Sequence, residues 1–246
     1  MTVPEDRKPP SAPPGSVIYA IGDIHGESGK LDLLHSMIQA DAGRRDAERK
    51  VVIYLGDYVD RGPDCAGVVE RLAGPPLPGF ETVFLKGNHE EFLLHFIETG
   101  DSASGWFHNG GLNTLESYEV EMRDNLLWRS DSKELLEQLQ EKVPGTHRRF
   151  LADLRLHHIE GDYLFVHAGI RPGRPLEDQT PADMLWIRNL FLDSGEDHGF
   201  MVVHGHTPRD EPEIRPNRIG IDTGACYGGK LTALVLEGEK RDFLQA

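Results

Sequence analysis

Short runs of β-branched and aromatic residues alternate along the chain with segments whose apolar positions recur at helical spacing, the pattern of an α/β layer fold. "SVIYAIGD", "VVIYLGD" and "ETVFLKGN" read as strands. Leu31, Leu34 and Ile38 mark a helix after the first, Val68, Val69 and Leu72 one after the second, and Phe92, Leu93, Phe96 and Ile97 an amphipathic helix after the third. This β-α-β-α-β order predicts parallel strands, because each connection is long enough to cross over. From about 99 to 150 the pattern changes: "GDSASGWFHNGG" reads as loop and "DSKELLEQLQEK" as a polar helix with a narrow face of Leu135, Leu136 and Leu139, together a cap-like insertion. Strand-like runs return as "LRLHHI" and "DYLFVHAG", separated by Glu160-Gly161, then "FMVVHGH", "IGIDTGA" and "LTALVLEG" leading into "EKRDFLQA". This half is mainly β and predicts a second sheet.

The 246 residues, 38% of them hydrophobic, are enough for one large core. The expected organisation is a Pro-rich tail over 1–16, disordered or extended, and a single domain over 17–246 that carries the insertion at 99–150. Five prolines fall in the first sixteen residues, and that stretch lacks the apolar core of a signal peptide. No apolar run is long enough to span a bilayer, so no membrane partner and a cytoplasmic location are expected. Cys65 and Cys226 are the only cysteines, too few for a disulfide framework. Lys and Arg total 26 against 41 acids, a formal net charge of −15. That balance argues against binding duplex nucleic acid through a broad basic face, and it requires a local positive site for any anionic substrate.

The candidate chemistry lies at the ends of strands. Five apolar runs finish directly in residues able to bind a metal: Asp23 and His25 in "YAIGDIHG", Asp57 in "IYLGDYVDRG", Asn88 and His89 in "FLKGNHE", His167 in "LFVHAG", and His204 and His206 in "MVVHGHT". Ligand sites of open α/β sheets lie outside the carboxyl ends of strands. Any one ending is what a helix N-cap would produce. Five in succession, offering carboxylate, imidazole and amide donors, suit borderline divalent metals better than capping does.

"GDIHG", "GDYVDRG" and "GNHE" in that order, followed by "HAG" and "GHT", resemble the calcineurin-like metallophosphoesterases of the phosphoprotein phosphatase branch, bacterial type. The resemblance runs from about residue 17 to about 230. It implies an α/β sandwich of two mixed β-sheets flanked by helices, with two divalent ions at the strand ends. It further implies that Asp23 and His25 hold one ion, that Asn88, His167 and His206 hold the other, and that Asp57 bridges them. Relatives with G-H-x-H in the last motif add a ligand there; this chain has "GHTP", with Pro208 in its place, as the protein-phosphatase branch does. His204 is then an ordinary strand residue. The donor set suits manganese and admits iron or zinc.

Two such ions can activate a shared bridging water for in-line attack on phosphorus, so no protein nucleophile is needed. His89, next to a ligand, is assigned to protonating the leaving oxygen, with Asp60 orienting its ring. Arg61 offers a bidentate fork to phosphoryl oxygens. Arg188, in "DMLWIRNLF", matches a second family arginine, and Tyr227, in "TGACYGGK", resembles a family tyrosine over the phosphate site. His108 and Asn109 are candidates to line the substrate entrance. Asp64, Lys86 and Glu90 read as structural. The leading expectation is a phosphatase acting on phosphoserine or phosphothreonine in proteins and on small phosphate esters. Its enzymatic rival is a symmetrical dinucleoside tetraphosphate hydrolase, and the alternative from another class is a non-catalytic phosphate-binding protein. The intact ligand set, with His89, Asp60 and Arg61, argues against the last.

Overall fold

Three strand–helix units open the fold. In this computed structural model, which describes residues 8–101, 105–122 and 132–246, β1 (Ser16–Ile21), β2 (Arg49–Tyr54) and β3 (Glu81–Phe84) pair in parallel. The helices between and after them are α1 (Ser28–Ala42), α2 (Cys65–Ala73) and α3 (Asn88–Thr99). Their periodic apolar residues are the ones buried: Leu31, Leu34 and Ile38, then Val68, Val69 and Leu72, then Leu93 and Phe96. Alternation along β1 sends Val17, Tyr19 and Ile21 to the helices and Ile18 and Ala20 to the opposite face. A strand buried on both faces has no polar side, hence the uninterrupted apolar run.

The second sheet has the order β4-β5-β6-β8-β7, built from β4 (His157–Glu160), β5 (Tyr163–Val166), β6 (Met201–His204), β7 (Glu213–Ile214) and β8 (Arg218–Gly220). Tyr163, Phe165, Met201, Val203 and Ile219 face Ile18, Ala20, Val51, Ile53 and Val83 of the first sheet across a shared apolar layer. The second half does not all join this sheet. β9 (Thr232–Glu237) and β10 (Lys240–Gln245) return to the first, which reads β10-β9-β1-β2-β3, with β9 antiparallel to β1. Leu234 and Leu236 thereby join the layer between the sheets while Ala233 and Val235 face the helices. Alternation settles which faces are apolar, but not which sheet a strand joins.

Of the tail expected over 1–16, residues 1–7 lie outside the described residues, and the rest is held from residue 10 onward. Tyr163 O–H donates to Pro10 O at 3.0 Å, Ser11 N–H to Asp162 at 3.0 Å and Ala12 N–H to Gly238 O at 2.9 Å. These bonds tie it to one hairpin of each sheet. In the insertion, α4 (Gly111–Ser117), α5 (Ser132–Lys142) and α6 (Gly145–Ala152) join the helical layer, with Leu115, Leu135, Leu139 and Leu151 in its core. Residues 102–104 and 123–131 lie outside the described residues. On the outer face of the second sheet, α7 (Pro181–Trp186) and α8 (Asn189–Leu192) cover Leu164, Val166 and Val202 with Met184 and Phe191.

His35 of α1 receives the Tyr54 hydroxyl at 2.9 Å, and burial pushes its imidazole down to about 4, with Asp32 opposing and Arg71 adding to the shift. Because the folded value lies below the unfolded one, this stabilisation is complete above about pH 6.5 and is lost as pH falls towards 4. Denaturant titrations at pH 7 and pH 4.5 should show a fall in unfolding free energy of which up to about 3 kcal/mol is absent from His35→Leu. Identical pH slopes in the two proteins would contradict this account.

Candidate metal centre

Each candidate side chain leaves its sheet at the same end. Asp23 and His25 follow β1, Asp57 follows β2, Asn88 and His89 open α3, His167 follows β5 and His206 follows β6. Parallel pairing of β1-β2-β3 and of β5-β6 sets these carboxyl ends side by side.

The backbone there is held in a costly form. Of six described non-glycine residues with positive φ, five are His25 (46°), Asp57 (52°), Asp60 (71°), Arg61 (69°) and His206 (65°). Left-handed backbone costs a side-chain-bearing residue roughly 1–2 kcal/mol, so other bonds must hold it. Ile24 and His25 N–H both donate to Asp57 O, at 3.1 and 2.8 Å. The buried Glu90 carboxylate accepts from the N–H groups of Asp57, Tyr58 and Gly87 at 2.8, 2.7 and 2.8 Å. A Cβ on Gly87 would overlap the Asp57 carboxylate, so the glycine of "GNHE" is what lets β3's end approach the aspartate.

Bonding partners define the tautomers. His25 Nδ1–H faces Val59 O at 2.8 Å, His167 Nδ1–H faces Leu55 O at 3.0 Å and His89 Nδ1–H faces Asp60 at 2.6 Å. His25 and His167 therefore each turn an Nε2 lone pair inward, and His89 turns its Nε2 to the same place. Around His167 Nε2 lie Asn88 Oδ1 at 3.0 Å, His206 Nδ1 at 3.2 Å and Asp57 Oδ1 at 3.4 Å. His25 Nε2 is 3.3 Å and His89 Nε2 3.9 Å from Asp57 Oδ2. His206 Nε2 is buried with no partner among the described residues. Acceptors facing acceptors, around a carboxylate common to both groups, fit cations between them. The ligand atoms gather into His25–Asp57–His89 and Asp57–His167–His206, each set within 4.8 Å.

The charges of the centre act on one another at close range. Burial raises the Asp23 carboxyl well above its usual range, and the neighbouring Asp222 and Asp57 raise it further. Burial would also raise Asp57, but His167, His89 and His25 hold it well below the ordinary carboxylate value. Burial and the charge of His167 push His206 down to about 2, which leaves it a neutral, lone-pair imidazole. For Glu90, burial and then Asp57 lift the carboxyl to about 7, against its backbone donors.

Asp23 is buried, but its carboxylate receives His206 N–H at 3.0 and 3.2 Å, and His89 completes the tight group beside His25. Asp60 lies behind His89. Arg61 turns to the centre, Nη1 2.6 Å from His25 Nε2, rather than to Asp64. Asp64 instead caps α2, accepting Gly67 N–H at 3.0 Å. Arg188 reaches His206 O at 3.3 Å and Thr207 Oγ1 at 3.2 Å. Tyr227, 64% exposed, lies 5.5 Å from the Arg61 guanidinium carbon. His204 is a strand residue, packed on Phe191 and facing Arg218 at 3.3 Å. Asn109 is exposed, its amide bonded to Gly105 O at 2.9 Å.

Sequence reasoning missed Asp222, which lies beside Asp23, and it undervalued Glu90. Asp222 ends "IGID", the same apolar-run-then-acid signature used for the others. Glu90 carries no signal beyond that of a first-turn helix acid.

Two five-stranded sheets flanked by helices, with buried imidazoles and carboxylates gathered at the strand ends, define a phosphoesterase-type α/β sandwich. The chain belongs to the calcineurin-like phosphoesterases, whose family model matches residues 16–234, and is therefore a hydrolase of the metallophosphoesterase class. It is 28% identical over 234 residues, 88% of this chain and 87% of the relative, to the asymmetrical bis(5'-nucleosyl)-tetraphosphatase PrpE of Oceanobacillus iheyensis. It is 27% identical over 225 residues to serine/threonine-protein phosphatase 1 of Salmonella typhimurium, covering 87% of this chain and 89% of that one. Among solved structures, the cold-active protein-tyrosine phosphatase of a psychrophilic Shewanella superposes with a TM-score of 0.55 at 16% identity, over 95% of this chain and 83% of that one. The tetraphosphatase relatives are named as asymmetrical enzymes, where the rival expectation from the sequence was a symmetrical one. Among the described residues no helix is long and apolar enough to cross a membrane.

Glu90→Gln keeps the size but replaces one acceptor oxygen with a donor facing backbone N–H groups. It should lower unfolding free energy by about 1–3 kcal/mol and reduce bound metal per chain by elemental analysis. Unchanged stability and metal content would contradict the role of Glu90 in holding the Asp57 turn.

Proposed function

We propose that the chain is a dinuclear-metal phosphatase of phosphate monoesters, with phosphoserine or phosphothreonine of proteins as the leading substrate class. The observation that carries the reading is the set of inward lone pairs around the shared Asp57, with His89 beside it and bonded to Asp60. Asp57, Asp23 and His25 would hold one ion and Asp57, Asn88, His167 and His206 the other, manganese being suited to this mixture and iron or zinc compatible. Bound there, the two ions supply water activation and neutralise phosphoryl charge. Arg61 and Arg188 bind and orient the phosphoryl oxygens from two sides. His89, its ring fixed through Nδ1, gives the proton on Nε2 to the leaving oxygen. This local cationic character reconciles an acidic chain with an anionic substrate.

A second reading is asymmetrical hydrolysis of a dinucleoside tetraphosphate. The PrpE relatives favour it, and so do two aromatic rings able to stack on a base. Trp186 is 37% exposed and 6.3 Å from the His206 ring centroid, and Tyr227 stands beside Arg61. Both readings place the same centre at a phosphorus atom, and only the groups around it would choose.

Asp57→Asn should lose most of both ions and cut kcat by several orders of magnitude, read by elemental analysis and phosphate release. Full activity with normal metal content would sink the shared-ligand assignment. His89→Ala should keep the ions yet slow alkyl phosphates about 100-fold or more while sparing p-nitrophenyl phosphate, whose leaving group needs little protonation. Ranking kcat/KM of the manganese-loaded protein on a phosphoprotein, a phosphopeptide and diadenosine tetraphosphate separates the substrate readings. A preference for the tetraphosphate would replace the leading one.

A further inference from the structure

"WFHNGGLNT" lies in the insertion, far along the chain from every strand end, and no role follows for it from the metal-binding residues. We propose that Trp106 and Thr114 of this stretch are positioning residues for the proton-donating pair, holding the Asp60 carboxylate against the His89 ring. The proposal rests on the reading of His89 as proton donor.

Asp60 is fully buried, as are Trp106 and Thr114. Three side-chain donors converge on its carboxylate: His89 Nδ1–H at 2.6 Å, Trp106 Nε1–H at 2.9 Å and Thr114 Oγ1–H at 2.5 Å. Thr114 Oγ1 also accepts Asp60 N–H at 2.9 Å, so a single hydroxyl ties both the backbone and the side chain of a residue at φ 71°. The next left-handed residue, Arg61, donates its N–H to Gly110 O at 3.2 Å. The two glycines fit the same purpose. A Cβ on Gly110 would come within 2.6 Å of Arg61 N, and one on Gly111 within 2.5 Å of the Trp106 indole. The stretch is thus the other half of the mould that shapes "DRG".

A buried carboxylate with His89 as its sole partner could rotate, and the ring would rotate with it. Held by two further donors, it stays an anion of fixed direction. During the step the Nε2 proton passes to the leaving oxygen as the P–O bond breaks. The Nδ1 proton remains on His89, and Asp60 gains none. Trp106 and Thr114 touch neither substrate nor ions and act through Asp60 alone.

Trp106→Phe keeps an aromatic ring beside Phe96 and Phe107, whose centroids lie 5.0 and 5.4 Å away, and deletes the N–H. With the metal-loaded protein, kcat on an alkyl phosphomonoester should fall about tenfold or more, with KM unchanged and p-nitrophenyl phosphate affected less than about threefold. In a His89→Ala background the same substitution should change the alkyl rate less than about twofold. Thr114→Val should behave as Trp106→Phe does and Thr114→Ser should restore the rate, which keeps the test open if one variant fails to fold. Independently of turnover, in the metal-free protein the Trp106 indole N–H resonance, assigned by its loss in Trp106→Phe, should move on Asp60→Asn. Equal losses on both substrates, an undiminished effect in the His89→Ala background, or an indole resonance indifferent to Asp60 would overturn the proposal. If His89→Ala itself does not discriminate between leaving groups, the proton-donor reading falls and this proposal with it. That pattern differs from a discriminating His89→Ala beside a neutral Trp106→Phe, which removes this proposal alone.

Discussion

The turn at Asp57 is the constraint on which the rest of the site depends. A buried carboxylate must sit where both sheets can reach it, on a residue at φ 52°, and neither condition is favourable alone. A second buried carboxylate, Glu90, gathers the N–H groups of that turn and of the incoming α3. Two like charges this close, away from water, raise the Glu90 carboxyl while the surrounding histidines hold Asp57 down. Such an arrangement is held by the bonds from Asp57, Tyr58 and Gly87 N–H to Glu90, and its facing acceptors suit cations.

Around that turn, charges adjacent in sequence separate by function. Asp57 faces the imidazoles, Asp60 faces His89 and the insertion, Arg61 faces His25 and Tyr227, and Asp64 caps α2. The left-handed residues at 60 and 61 reverse the chain so sharply that neighbours in "VDRG" point in different directions. Their partners Thr114 and Gly110 come from some fifty residues away. The insertion therefore belongs to the architecture of the site as well as to the helical layer.

Relatives named for different substrates match this chain about equally well. A tetraphosphatase and a protein phosphatase match this chain at 28% and 27% identity over nearly equal spans. The metal-binding candidates gather at the strand ends, while Trp186, Arg188 and Tyr227 lie on later elements. They sit on α7, at the start of α8 and before β9, and Arg188 reaches His206 O from there.

Local chemistry made much of this protein legible without coordinates. Apolar periodicity placed β1, α1, β2, α2, β3 and α3, because each buries a face whose repeat is written in the sequence. Strand runs ending in Asp, Asn or His marked the site, because parallel strands bring their carboxyl ends together. The return of β9 and β10 to the first sheet was decided by pairing over more than two hundred residues, to which alternation is blind. The anchoring of residues 10–12 was likewise settled by partners on distant hairpins. The contacts of Glu90, Trp106 and Thr114 were also decided only by the tertiary structure. Each looks ordinary among its sequence neighbours, and its partner becomes adjacent only when the sheets, the helices and the insertion close around Asp57.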